Sequence, residues 1–556
     1  MIGTVVDGVT GSAPRPLHWR GRRWRCPAVA GLVLILGQMS DIGAGVPGGI
    51  VHAAQIPLAR ELARETHVAS GGGPGLVEGA LPAVAQAGAT GVPASASTTD
   101  SGLRALLPEE VLRSSARSFP KILEAIEKAA ASRAKLLAAQ GEFDLEWRTK
   151  SLNWLSGFYE GQTVDSKVVK PIAEGGINLA AGYRISAADF PIYQDEYVTN
   201  DLGEVNFEVI VSLLRDRQFD FRRFKLRDAA FNVDLADLEL LTARMQVQHA
   251  ALRTYWDWLA AGQRYQVYSE LLGLADTRDS AFRQRIAEGD LAEIFLVENS
   301  QNLLRRQSFV VQAARDFRVA SIQLGLYLRN GDGEPMPPTE DRLPADFPGV
   351  SASVIDDLEQ DLERAMNRQV FLARVDTELA AERNRLALGR NAYKPQVDLG
   401  VKLARDFGEG SVTRMGNDVI VELDVSFPIQ RRKAQGAIDE ARANIRSLEQ
   451  RRRFLVDQLD AQVLSIAERV AADVRFSQIT SQEVVQARQL EQAERVRFDE
   501  GASDFFVVNV REERTADAQV RSIDARQAYF KALADYYAAT VDLGALEIEQ
   551  DSVLAP

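Results

Sequence analysis

The chain has 556 residues, 46% hydrophobic and 26% charged, a composition that suits a folded protein and excludes a wholly disordered one. A formal net charge of −13 makes nucleic acid an unsuitable partner, although acidity alone signifies little beyond solubility. One cysteine, four histidines and no GxSxG, HExxH or P-loop pattern leave no basis for an enzyme, a cofactor or a metal site.

In chain order, residues 1–53 read as an export signal. Arg15, Arg20, Arg22, Arg23 and Arg25 precede the apolar run Ala28–Leu36, and Val51, His52 and Ala53 lead to a cleavage point near Ala53 or Ala54. An apolar core of about ten residues is too short to span a bilayer as a helix; a retained membrane anchor is the alternative. Cys26 lies before that core rather than after it, so lipid attachment is not expected. Residues 54–105 form a linker rich in Gly, Ala, Ser and Pro, with too little apolar surface to offset the entropy of ordering.

Order is expected from about Leu106. Strand-like alternation appears near 144–155 and 205–213, with inserted material between them that includes Ile177–Ile185, and again near 395–405 and 419–427. Such alternation suits a barrel wall with lipid on one face and water on the other, and equally a sheet on a soluble core. Proline is absent between Pro191 and Pro335 and between Pro428 and Pro556. Proline costs about 3 kcal/mol inside a helix, so these gaps permit very long helices. From Gln435 onward Ile438, Ala441, Ile445, Leu448, Leu455, Leu459, Val463, Ile466 and Val470 mostly follow steps of three and four, with Arg452 the polar occupant. A stripe this narrow is a coiled-coil seam. A helix from about Asp216 to Ala287 would be roughly 100 Å long at 1.5 Å per residue.

Each long helical region carries one punctuation point. Gly289 and Gly501 can adopt the left-handed conformation that ends a helix. Asp290 with Glu293 resembles a capping box for the next helix, and Ser503 or Asp504 suits its N-cap. The two halves also match. Residues from Ile122 align with those from Leu372, an offset of 250, whereas the glycines differ by 212, so the first half carries about 38 additional residues. The organisation is thus a unit over 106–345, a second over 346–549, and a short tail at 550–556.

Three segments resemble signatures of the TolC family of outer-membrane efflux proteins: Tyr393–Gln396 opening a strand, Val425–Ile429 running into a long helix near Arg431, and Arg497–Gly501 followed by Phe505–Arg511 and the alanine-rich helix ending Tyr529–Ala539. Arg285–Gly289 through Asn299 is the first-half counterpart. The resemblance implies a mostly α fold with a small β part. Very long helical hairpins, in two internal repeats, would adjoin four strands that each subunit of a homotrimer gives to a transmembrane barrel. It further implies location in the bacterial outer membrane, in contact with its lipid, with a helical tube in the periplasm. The function implied is a passive export duct of a tripartite efflux or type I secretion system. An inner-membrane pump of the RND, ABC or MFS type would feed it through a periplasmic adaptor, a membrane fusion protein. The alternative is a periplasmic coiled-coil adaptor or scaffold.

Acidic residues after the hairpin glycine narrow the periplasmic entrance in that family. Here Val507 and Val510 occupy the two usual acidic positions after Gly501, Phe295 the first of them after Gly289, and Glu298 keeps the second. Asp290, Glu293 and Asp504 lie nearby and also suit helix capping. The expectation is an apolar entrance narrowed by Phe505, Phe506 and Val507. Tyr159, Tyr183, Tyr193 and Tyr197 suit either a membrane interface or loop packing.

Overall fold

The computed structural model describes residues 104–188, 190, 197–289, 292–351, 355 and 357–549. The expected export signal, the linker up to residue 103, Tyr193, Asp290 and the tail at 550–556 lie outside the described residues.

Two helices, α1 (Pro108–Ser118) and α2 (Pro120–Gln140), each open on proline, whose missing N–H would have no intrahelical partner there. The chain then forms β1 (Glu146–Trp154), β2 (Gly161–Pro171), β3 (Ile177–Ala188) and β4 (Glu204–Ser212). Helix α3 (Phe221–Ala287) runs 67 residues, about 100 Å at the standard rise, and α4 (Ile294–Gly325) returns beside it. Asp216, expected to begin α3, instead sits at φ 65° and turns the chain out of β4. The helix starts later, where Asp220 Oδ1 accepts from the Arg223 amide at 2.8 Å. The second half follows the same order without the extra strands: α5 (Leu358–Arg368), α6 (Val370–Ala392), β5 (Gln396–Asp406), β6 (Asn417–Ser426), α7 (Arg432–Asp499) and α8 (Phe505–Ala539).

The seam on α7 buries Ile438, Ala441, Leu459, Val463, Ile466 and Val470. Its polar occupant is accommodated sideways, since the Arg452 guanidinium meets both carboxylate oxygens of Asp376 on α6 at 2.7 and 3.2 Å. That pair is half exposed and contributes no more than about 1 kcal/mol. Midway along the helices an aromatic belt binds α3, α4 and α8 together. Trp258 is fully buried and donates to Ser321 Oγ at 3.1 Å, while Trp256 stacks on Phe530 with ring centroids 4.4 Å apart. Large aromatic areas buried at one level hold long helices in register where a uniform stripe of small residues would let them slide.

All six strands form one antiparallel meander in the order β1-β2-β3-β4-β5-β6. This corrects the expectation of four. The inserted segment does not stay apart from the sheet; β2 and β3 separate β1 from β4. The physical reason is backbone pairing, because a hairpin between two strands satisfies both rows of its N–H and C=O groups. Its turn is tied to the helices. Arg223 Nε donates to the Ala173 carbonyl at 2.6 Å, and Gly176, at φ 67°, lies where a Cβ would come within 2.7 Å of the Asp216 carbonyl oxygen.

Two helical glycines give opposite expectations. A Cβ on Gly325 would sit 2.8 Å from the backbone nitrogen of Pro337, whereas one on Gly273 meets nothing within 4 Å. Gly325→Ala should therefore lower thermal stability by about 1–3 kcal/mol through overpacking. Gly273→Ala should raise it by up to about 1 kcal/mol through helix propensity. Thermal unfolding of the two purified variants would read both signs.

Candidate functional site at the sheet and the helical tips

Alternation gives the sheet two unlike faces. One carries Val419, Val421, Leu423 and Val425 of β6 opposite Leu403, Val401, Leu399 and Val397 of β5. It continues through Phe207 and Val209 on β4 to Leu179 and Tyr183 on β3. On β2 and β1 this face thins to Val164, Val168 and Trp147 among hydroxyl residues, which pair with one another: Trp147 Nε1 donates to Ser166 Oγ at 2.6 Å, and the Thr149 and Ser166 hydroxyls lie 3.0 Å apart. The opposite face is charged. On it Glu204, the first residue of β4, is buried between Arg184 of β3 and Lys402 of β5, whose Nζ lies 3.1 Å from a carboxylate oxygen. Where that face meets the helices, a hollow of about 1390 Å³ is lined by Arg222, Asp398, Arg431, Arg432 and Glu440 among others. A sheet with one apolar face, one charged face and two unpaired edges is suited to dividing lipid from water. Among the described residues no helix is long and apolar enough to cross a membrane.

Tyr183, one of the aromatics singled out in the sequence, lies on this apolar face in the middle of β3 and donates to the Leu202 carbonyl at 2.7 Å. Tyr159 packs edge-on against Phe158 in the exposed β1–β2 loop, and Tyr197 packs against Phe190.

At the far end of the helices, Gly289 and Gly501 both take φ 75° with open space around them, so glycine is needed for conformation rather than for close packing. Asp504 caps α8, its Oδ1 accepting from the Phe506 amide at 3.2 Å. Glu293 directly precedes α4 without a side-chain capping bond, and its expected capping-box partner Asp290 lies outside the described residues. Phe505 does not face outward as the apolar-entrance expectation requires. It is fully buried against Phe282, Phe295 and Phe498, fastening the two hairpin tips to each other. Phe506 is 63% exposed, with Val507, Val510 and Glu298 half-buried and Glu293 exposed.

One turn further in lies a polar cluster that the sequence reading does not identify. Glu512 of α8, 1% exposed, pairs with Arg278 of α3 and with fully buried Arg306 of α4 at 2.9 Å; Arg495 of α7 approaches at 3.3 Å. Asn509 Oδ1 accepts from Arg278 Nη1 at 2.9 Å and Arg306 Nη2 at 3.3 Å, and Arg306 Nη1 donates to the Leu271 carbonyl at 2.8 Å. Arg278 also covers the Phe505 ring, 5.2 Å from its centroid, so charge and aromatic packing form one joint across all four helices. A signal was present, because Glu512 and Asn509 fall on the stripe that buries Phe505, Val508 and Ala516.

Burial opposes ionisation of Glu512, but hydrogen bonds and charge from Arg278, then Arg306, outweigh it and hold its carboxyl below the ordinary glutamate value. A depressed folded-state value means that the stabilisation is fully present above the unfolded value and is lost as pH falls through the folded one. Glu512→Gln should cost about 3–5 kcal/mol because it strands buried guanidinium groups. Amide protection over 278–289 and 292–306, measured relative to the intrinsic exchange rate at each pH, should fall in the wild type as pH drops below the ordinary carboxylate range. In the variant protection should already be low at neutral pH and change little.

No family model matches the chain, and no curated protein matches it. Solved structures do. The Campylobacter jejuni CmeC outer membrane channel aligns at TM-score 0.54 and 10% identity, over 80% of this chain and 87% of that one. The outer membrane protein VceC of Vibrio cholerae aligns at 0.54 and 12%, over 78% of this chain and 95% of its own. The open state of the Neisseria gonorrhoeae MtrE outer membrane channel aligns at 0.54 and 12%, over 78% and 88%. At such identity it is architecture that is shared, and architecture is what the helical hairpins and the two-faced sheet display: the chain has the fold of these outer-membrane channels, the TolC-like fold that its sequence resembles.

Proposed function

We infer that the protein is an outer-membrane duct, a homotrimer whose sheets close a barrel in the lipid and whose long helices continue the passage into the periplasm. The observation that carries this reading is the sheet itself. Its apolar face leads to two unpaired edges, β1 and β6, which lie largely exposed in the single chain. In lipid each unsatisfied peptide group costs several kcal/mol, so only closure with other copies makes such a sheet tolerable there. An adaptor or scaffold has no use for a lipid-facing sheet, and the fold shared with CmeC, VceC and MtrE favours the duct. The corresponding element order in the two halves supports an internal duplication. Cargo would arrive from an inner-membrane pump through an adaptor at the helical tips, with no chemistry done on it. The part of the entrance open to solvent would be shaped by Phe506, Val507 and Val510 with Glu298, while Phe505 serves the joint behind them.

Two measurements test this. Fractionation should recover a heat-resistant trimer from detergent-extracted outer membrane; recovery as a monomer from the soluble periplasm would refute it. Single-channel recording should show weak block by multivalent cations. Strong block abolished by Glu298→Gln would replace the apolar entrance with an acidic gate.

A further inference from the structure

We propose that three copies close an eighteen-stranded barrel rather than a twelve-stranded one, through a seam in which β6 of one subunit pairs with β1 of the next in a single register set by charge. The inference rests on the trimeric duct argued above. It stands on the pairing of six strands in one sheet and on the residues left on the two free edges.

On the charged face, β6 presents Asp418, Ile420, Glu422 and Asp424, while β1 presents Arg148, Lys150, Leu152 and Trp154. If the two strands lie antiparallel with their ends level, Ser426 facing Glu146, then Asp424 meets Arg148, Glu422 meets Lys150 and Ile420 meets Leu152. Sliding by two residues one way sets Asp424 against Glu146. Sliding the other way keeps one opposite pair, Asp424 with Lys150, but sets Glu422 against Leu152 and leaves Arg148 facing Ser426. Opposite charges directly across a strand pair are favourable and like charges are not, so the level register is the one these edges select.

The same register closes geometrically. Starting from Arg148, the residues directly opposite one another run through Lys167, Gly182, Asn206 and Ala404 to Asp418. Across the level seam Asp418 faces Trp154 of the next copy, a climb of about six residues per subunit, and about eighteen around a ring of three. Equal strand number and stagger tilt the strands by about 35°, at the lower end of the usual range for membrane barrels. The register that brings Asp424 to Glu146 flattens the tilt to about 25°, outside that range. Charge and closure thus exclude the same slip.

Eighteen strands at this tilt enclose a barrel about 33 Å across between backbones, against about 22 Å for twelve. The added hairpin carries the two-faced pattern of the other strands, with Leu179, Tyr183 and Ile185 outward and Lys167 and Arg184 inward. Beneath it α2 and α3 pack directly on each other, as Arg133 Nη2 lies 2.7 Å from Asp237 Oδ1. The helical tube therefore keeps its circumference while the barrel above widens, and the membrane segment is not the size filter of the duct.

Electron cryomicroscopy of the full-length protein extracted from outer membrane counts the strands. Eighteen in a ring of three copies is expected. Twelve strands in a ring of three, with 161–188 folded outside the wall, would overturn this inference and leave the trimeric duct standing. A ring of another size, or none, would overturn the duct reading itself. For the seam, Lys150→Glu should reduce recovery of heat-resistant trimer at least several-fold, and adding Glu422→Lys should restore it. Undiminished trimer in the single variant, or no restoration in the double, would overturn the register.

Discussion

Backbone hydrogen bonding at the two free edges of the sheet governs the design of this molecule. Inside one subunit, four of six strands have partners on both sides; β1 and β6 have one each. In water such edges merely invite aggregation, whereas in hydrocarbon they are prohibitive. Much else follows from that constraint. Most apolar residues of β3 to β6 face one way and most ionic residues the other, with Arg405 on the apolar side and Ile210 and Ile420 on the charged one. Arg184, Glu204 and Lys402 satisfy one another across the charged side, and the hairpin turn at 172–176 is held to the base of α3 by Arg223.

Below the sheet the problem is different. Helices 67 and 68 residues long have ample internal hydrogen bonds, but a uniform seam would let them slide or splay. The aromatic belt around Trp256, Trp258 and Phe530 fixes their register at mid-length, and the joint of Phe505 with Arg278, Arg306 and Glu512 fixes it at the tips. The joint is the more specific of the two and the more vulnerable, since Arg306 Nε and Thr515 Oγ1 are buried without hydrogen-bond partners. Incompletely satisfied buried networks favour one arrangement over others without adding much stability.

Long-range periodicity made the architecture legible in the sequence. The proline-free gaps, the seam from Ile438 to Val470 and the glycines 289 and 501 located both hairpins, and strand alternation located β1, β4, β5 and β6 within about two residues. What was not legible depended on contacts between distant segments. Gln162–Val169 alternates weakly, so nothing local in β2 reveals that it inserts beside β1. Phe505 reads as an exposed tip residue until Phe282 and Phe295 are brought to it. Glu512 reads as one more surface acid because its three arginines lie on other helices, although its place on a buried stripe was visible, as it was for Arg452.

The central claim, that β1 and β6 are each other's missing partners between subunits, is tested most directly by amide hydrogen exchange on the outer-membrane assembly. If the claim holds, amides of 146–154 and 417–426 are protected to the same degree as those of β3 and β4. Rapid exchange confined to these two strands, with the interior strands protected, would contradict it.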